Sequence, residues 1–258
     1  MLFANWLTKL LRSNYSNSMK QRRRNASRSP GNRGPFLRST AEILEDRTLL
    51  TTAIPTGLDL LGPHDSGESN SDNITNVTTP TFTGTAVAGS TVEIFADGAL
   101  IATTTANPAL GGFFVVSSSA LGDGSYDITA TADDGVSGVS DPSVALPITI
   151  DTAAPNAPSA PDLDAASDSG SSSTDDNTST TTPTLSGTAD AGITVELTSD
   201  KDGLVGTTTS DGTTGAWTIV SSGLSDDNHS LTAAAIDVAG NTSAASTALA
   251  VTIDTTSP

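Results

Sequence analysis

The chain has 258 residues, 11 Lys and Arg against 29 Asp and Glu, no Cys, 2 His and 4% aromatic residues. At about 100–200 residues per domain this allows one large or two small domains, and the scarcity of large side chains argues against an enzyme built around a deep apolar pocket. The absence of Cys excludes disulfides, Cys-ligated zinc and thiol nucleophiles together.

Charge divides the chain in two. Ten of the 11 cations lie in the first 47 residues beside Glu42, Glu45 and Asp46, so the head carries +7; the remaining 26 acids face a single cation, Lys201, and give −25. In the head, Leu2, Phe3, Trp6, Leu7, Leu10 and Leu11 fall at helical spacing, which predicts a short amphipathic helix suited to a membrane surface or a targeting role. No apolar stretch approaches the roughly 18 residues that span a bilayer, and Asn5, Thr8 and Lys9 interrupt the only candidate for a secretory signal. The cluster Lys20-Gln21-Arg22-Arg23-Arg24 lacks interleaved aromatics, and the acidic remainder would repel phosphate, so no nucleic-acid partner is expected. Leu44-Glu45-Asp46-Arg47-Thr48-Leu49-Leu50-Thr51 resembles the Leu-Glu-Asp/Pro-Arg-x-Leu-Leu-Ser motif near the N-terminus of large exported proteins of planctomycete-type bacteria. That resemblance implies an export or surface-sorting leader.

The body repeats at a spacing of 103 residues: Asp65-Ser66-Gly67 falls on Asp168-Ser169-Gly170, Thr78-Thr79-Pro80-Thr81 on Thr181-Thr182-Pro183-Thr184, and Thr149-Ile150-Asp151-Thr152 on Thr252-Ile253-Asp254-Thr255. The sequence ends where a third copy would begin, so a longer array is expected. Within each copy apolar residues alternate at period two, as half-buried strands require: Val92/Ile94, Phe113/Val115, Tyr126/Ile128/Ala130 and Ile148/Ile150, then Val195/Leu197, Trp217/Ile219, Leu231/Ala233/Ala235 and Val251/Ile253. Glycine- and Asp-rich turns separate the runs, and no segment sustains a period of 3.6. The pattern predicts an all-β chain of two tandem Ig-like antiparallel sandwiches, each of six or seven strands, with one large anchor apiece: Trp217 and its counterpart Phe113. The expected organisation is a basic, disordered leader over 1–51, an acidic linker over 52–77, one sandwich over 78–154, an acidic linker over 155–180 and a second sandwich over 181–258.

The run Thr-Pro-Thr-x-x-Gly-Thr-Ala-x-Ala-Gly-x-Thr-Val-Glu, with Asp237-Val238-Ala239-Gly240-Asn241 and Val251-Thr252-Ile253-Asp254-Thr255, is similar to the bacterial Ig-like repeats of Bap-type biofilm-associated surface adhesins. The first copy departs from it, with Asp133-Asp134-Gly135-Val136-Ser137 replacing the Asp-x-Ala-Gly-Asn turn. The resemblance implies bacterial, secreted or cell-surface, stalk-forming modules that carry Ca²⁺ at their junctions. Sorting the turns of an up-and-down strand path by pole brings Asp162 and Asp164 of the second linker beside Asp190 and Asp237, with Asp151 just above. These five are the candidate calcium ligands, since Ca²⁺ accepts six to eight irregularly placed oxygens. The bland alternative, that the acids only keep a Thr-rich chain in solution, stays open. Leu61 occupies the place of Asp164 in the first copy.

Catalysis finds no support in the motifs. His64 lies between modules, His229 stands where the first copy has Tyr126 and reads as a strand-end packing residue, and neither belongs to a nucleophile or metalloprotease motif. The expected function is therefore a non-enzymatic adhesin or stalk segment, contacting neighbouring repeats and an unidentified surface ligand of protein or carbohydrate. The rival expectation is a spacer of a larger exported enzyme.

Overall fold

The computed structural model describes residues 51–256. The basic leader, its amphipathic helix and the Leu44–Leu50 part of the sorting motif lie outside the described residues. Two all-β repeats follow one another. The first holds β1 (Thr56–Leu60), β2 (Ile74–Thr75), β3 (Thr81–Thr85), β4 (Thr91–Ala96), β5 (Ala99–Thr105), β6 (Phe113–Ser117), β7 (Gly124–Asp133) and β8 (Leu146–Ile150). The second holds β9 (Asp162–Leu163), β10 (Asn177–Thr178), β11 (Thr184–Thr188), β12 (Thr194–Ser199), β13 (Gly203–Thr209), β14 (Ala216–Val220), β15 (Asp227–Ile236) and β16 (Leu249–Ile253). Each repeat is a sandwich of a five-stranded and a three-stranded sheet, ordered β2-β8-β7-β4-β5 over β1-β3-β6 and β10-β16-β15-β12-β13 over β9-β11-β14.

Alternation places the core. Val92, Ile94, Ile128 and Ala130 of one repeat, and Val195, Leu197, Leu231 and Ala233 of the other, are completely buried between the sheets. One alternating set is out of phase with the expectation. Phe114 is buried at 2% exposure, whereas Phe113 is 38% and Val115 47% exposed, because a one-residue step along a strand moves every side chain to the opposite face. Phe114 is the true counterpart of Trp217. Each ring lies over a glycine directly across the ladder: Phe114 pairs with Gly84 and Trp217 with Gly187. A methyl group added to either glycine would stand 2.5–2.6 Å from ring carbons. A bare backbone thus makes room for the one large side chain the facing strand can supply.

The segments expected to be linkers carry strands. β1 and β9 pair antiparallel with β3 and β11, and β2 and β10 pair parallel with β8 and β16, so each repeat has eight strands and one parallel pairing. β1 and β9 place Leu60 and Leu163 in the core, whereas the two-residue β2 and β10 are held by hydroxyls and backbone, with Thr75 and Thr178 buried. Serine does similar work beyond the end of β8 and β16 pairing. The amides of Ala130 and Ala132 donate to Ser143 and Ser140 Oγ at 3.0 Å, and those of Ala233 and Ala235 donate to Ser246 and Ser243 Oγ at 2.9 Å. Four buried amides that lack a ladder carbonyl are satisfied in this way.

Truncating the anchors tests this core. Trp217→Ala and Phe114→Ala should each cost about 3–5 kcal/mol in denaturant unfolding of their own repeat, while Phe113→Ala costs about 1 kcal/mol or less.

Candidate functional site

Within the second repeat the chain enters at one pole, here the leading pole, and leaves at the other, the trailing pole. Asp190 stands at the leading pole, where its carboxylate accepts from the Asn156 backbone and side-chain amides at 3.2 Å. Ser159 N then donates to Thr188 O, Asp162 pairs with Ser186, and Asp164 N donates to Thr184 O. The segment therefore runs antiparallel to β11 down its full length. At about 3.3 Å per residue, Asp164 is carried away from Asp190 to the other end of that strand. Asp162 and Asp164 do not join Asp190 and Asp237; a β-strand, not a linker, delivers them. Asp164 instead caps a local turn, accepting from Ala166 N at 3.0 Å.

Asp151, Asp190 and Asp237 do lie where the repeats meet. The trailing pole of the first repeat receives the Asp237-Val238-Ala239-Gly240-Asn241 turn of the second. Ser66 Oγ donates to Ala239 O at 2.7 Å, Glu68 N donates to Val238 O at 3.2 Å, and Asn241 Nδ2 donates to Asp151 O at 2.8 Å. The turn is pre-set by its own ends, since Asp237 accepts from Asn241 N at 2.8 Å and from Asn241 Nδ2 at 2.9 Å. Gly67 has φ +99°, and a methyl group there would overlap the Val238 carbonyl, so only glycine allows the two backbones to approach. Beside this contact is a crevice lined by Glu68, Asp190 and Asp237 among others. Among the described residues, no three His, Cys, Asp or Glu side chains are grouped closely enough to hold a metal ion. The five candidate ligands therefore do not form one set.

Sequence reasoning missed Ser66, Gly67 and Glu68. The signal available was the Asp-Ser-Gly triad, common to both copies in a stretch otherwise without pattern.

The Asp of that triad is buried in both repeats: Asp65 is 5% and Asp168 6% exposed. Each offers one oxygen to a backbone amide, from Asn73 and Asp176 respectively, at 3.3 Å, and leaves its other oxygen without a partner. Burial raises the pKa of Asp65, and the Asp72 and Asp59 charges add to the rise against the Asn73 hydrogen bond. Asp176 is raised in the same way, by burial first and then by Asp168, Asp162 and Asp175. Asp65 is buried and Asp176 half-buried, while Asp59, Asp72, Asp162 and Asp175 around them are exposed, so burial acts first and neighbouring like charge second.

His229 is a packing residue with polar ends. It is 2% exposed, with Nδ1 at 2.9 Å from Ser199 Oγ and Nε2 donating to Ser225 O at 2.7 Å.

Residues 51–152 and 154–255 each match the sequence profile of the bacterial Ig-like domain. The chain belongs to the bacterial Ig-like domain family. Both matches include the strand-bearing segments before β3 and β11, so a bacterial Ig-like repeat of this protein is about 100 residues long. Among solved structures, the chain is similar to the BSP domain of a biofilm-associated protein, with 22% identity over 71% of this chain and 29% of that one and a TM-score of 0.29. It is also similar to fibronectin(III)-like modules of Clostridium thermocellum CbhA, with 15% identity over 77% and 94% of the two chains and a TM-score of 0.45, and to chicken CNTN1 FN1-FN3, with 13% identity over 79% and 65% and a TM-score of 0.45. The chain spans less than a third of the biofilm-associated chain it matches. No curated protein matches the sequence.

Asp65 and Asp176 set a direction with pH. A carboxyl group whose folded pKa exceeds its unfolded value of about 3.9 weighs against folding above the folded pKa, and that penalty fades as pH falls toward the unfolded value. Asp134, Asp211 and Asp254 act oppositely: hydrogen bonds lower them, Asp134 to about 2, so their contribution is lost only in stronger acid. The melting temperature should therefore rise from pH 7 to about pH 4 and fall below it. Asp65→Asn should raise the pH 7 value and flatten the slope; an unchanged slope would show that Asp65 does not carry it.

Proposed function

We propose that the two bacterial Ig-like repeats are non-catalytic modules of a secreted or cell-surface stalk, serving an adhesin whose ligand is a protein or carbohydrate surface. The observation that carries this reading is the junction itself. The second repeat seats a preformed turn on the first through a side-chain donor, a backbone amide and a strand-end carbonyl. Modules joined in this way add reach while each touches only its neighbour. Among the described residues no helix is long and apolar enough to cross a membrane.

Calcium belongs to this proposal through charge rather than through an assembled ligand set. Glu68, Asp190 and Asp237 line one crevice between the repeats with no cationic side chain among the lining residues. A hard divalent ion there would weaken the repulsion between facing acids, and carboxylate and carbonyl oxygens are what Ca²⁺ accepts. Bound ion would hold the two repeats at one angle.

Small-angle scattering of the full chain with and without calcium tests both parts. The stalk reading expects an end-to-end pair of modules whose curve Gly67→Val alters by loosening the junction, with the unfolding of each repeat retained. A wild-type curve indistinguishable from that of Gly67→Val would overturn it. Calcium should sharpen the wild-type curve and release heat in a titration; identical curves with no heat at millimolar ion remove calcium from the function.

A further inference from the structure

The junction is a plug in a socket, and the described residues hold two sockets but one plug. The socket of the first repeat is Ser66, Gly67, the amide of Glu68, the Thr75-Asn76 edge and the carbonyl of Asp151. The second repeat has the same parts at the same spacing: Ser169, Gly170, the amide of Ser171, Thr178-Ser179 and Asp254. The parts are also wired alike. Ser66 Oγ lies 3.0 Å from Thr75 Oγ1 and accepts from Asn76 N at 2.9 Å; Ser169 Oγ lies 3.0 Å from Thr178 Oγ1 and accepts from Ser179 N at 3.0 Å. What differs is cover. Ser66, Asn76 and Asp151 are half-buried, while their counterparts Ser169, Ser179 and Asp254 are exposed; Gly67 and Gly170 are alike in this respect, both exposed.

We propose that the trailing pole of the second repeat is a docking surface for the Asp-x-Ala-Gly-Asn turn of a further bacterial Ig-like repeat joined after Pro258. The inference rests on reading the chain as a stalk segment. Three donors and acceptors are in place for such a turn: the Ser169 hydroxyl for its Ala carbonyl, the Ser171 amide for the carbonyl before it, and the Asp254 carbonyl for its Asn side chain. Gly170 completes the match. Its filled counterpart Gly67 sits at φ +99°, whereas Gly170 is not in that region, and only a residue without a Cβ can move between the two backbone states at little cost.

The first repeat cannot supply the plug. Its turn reads Asp134-Gly135-Val136-Ser137-Gly138, with glycine in place of the Asn that reaches Asp151 O. Asp134 closes that turn on itself by accepting from Val136 and Ser137 amides at 2.7–2.8 Å, and Thr52 Oγ1 donates to Gly138 O. Val136, at the place of the fully buried Ala239, is 91% exposed. The plug of the second repeat is already seated on the first. The occupant is therefore another repeat of the second kind. The connector fits as well: Asp254-Thr255-Thr256-Ser257-Pro258 has the length of Asp151-Thr152-Ala153-Ala154-Pro155, which spans the first junction, with Asp, Thr and Pro at the same places.

The test appends a second copy of residues 156–258 after Pro258 of the full chain, marked with T174S so that its peptides differ in mass, and follows amide hydrogen exchange. Glu68 reports the natural junction and Ser171 the proposed one. Expected is that Ser171 exchanges freely in the natural chain and slows by about tenfold or more in the extended one. Gly170→Val should restore fast exchange at Ser171 without touching Glu68. Added unfolding heat in calorimetry shows that the appended copy folds. Slow exchange at Glu68 with unchanged, fast exchange at Ser171 overturns the docking surface and leaves the stalk reading intact. Fast exchange at both amides overturns both.

Discussion

Phe114 over Gly84 and Trp217 over Gly187 are the contacts on which each repeat depends. In a chain with 4% aromatic residues, each three-stranded sheet seats one ring over a glycine on the strand opposite, and the first repeat adds a second ring to its core, the completely buried Phe82 of β3. Around that pair, Val, Ile, Leu and Ala of the wider sheet are enough to exclude water. The arrangement keeps the modules thin, because two buried phenyl rings in the first repeat and one indole in the second leave most of each core to aliphatic side chains.

The same economy governs the polar parts. Amides that run out of ladder partners on β7 and β15 are met by serine hydroxyls from the following segment, and the short parallel strands are secured by threonine and serine instead of apolar faces. A Ser- and Thr-rich chain thus uses its hydroxyls as structural parts of the backbone network. The junction between repeats uses the same vocabulary. A serine hydroxyl, a backbone amide and a carbonyl replace the apolar contact that most domain interfaces rely on, and this lets an acidic surface continue up to the seam.

The duplication, the alternating strands and the sorting of turns at Asp190, Asp200 and Asp237 between poles were legible because each leaves a periodic trace. The phase of the pair Phe113 and Phe114 was legible too, since the 103-residue spacing sets Trp217 on Phe114 and the glycines opposite, Gly84 and Gly187, keep the same register; alternation alone does not separate two adjacent aromatics. Of the strands inside 52–77 and 155–180, β2 and β10 were hidden because they are two residues long and rest on backbone and hydroxyls, whereas the short alternating pairs at β1 and β9, Leu58/Leu60 and Pro161/Leu163, are too brief to stand out. Once those segments are strands, Asp162 and Asp164 must travel with them along β11, and the five-residue calcium set cannot assemble. The socket was half visible: the Asp-Ser-Gly triad repeats, but nothing local ties Ser66 to Ala239, 173 residues away.

The parallel pairings β2 with β8 and β10 with β16 bear on tension. In each repeat the strand nearest the N-terminal connection on the wide sheet lies alongside, and in the same direction as, the strand that leads out of the repeat. A pull on the two ends drives such neighbours past each other lengthwise, so the hydrogen bonds between them are strained together and not opened one after another. A module pulled by its ends loads β1 or β9 on the narrow sheet at its N-terminal side, and the parallel pair on the wide sheet, where Ile150 and Ile253 are also anchored in the core, resists once that first strand has yielded.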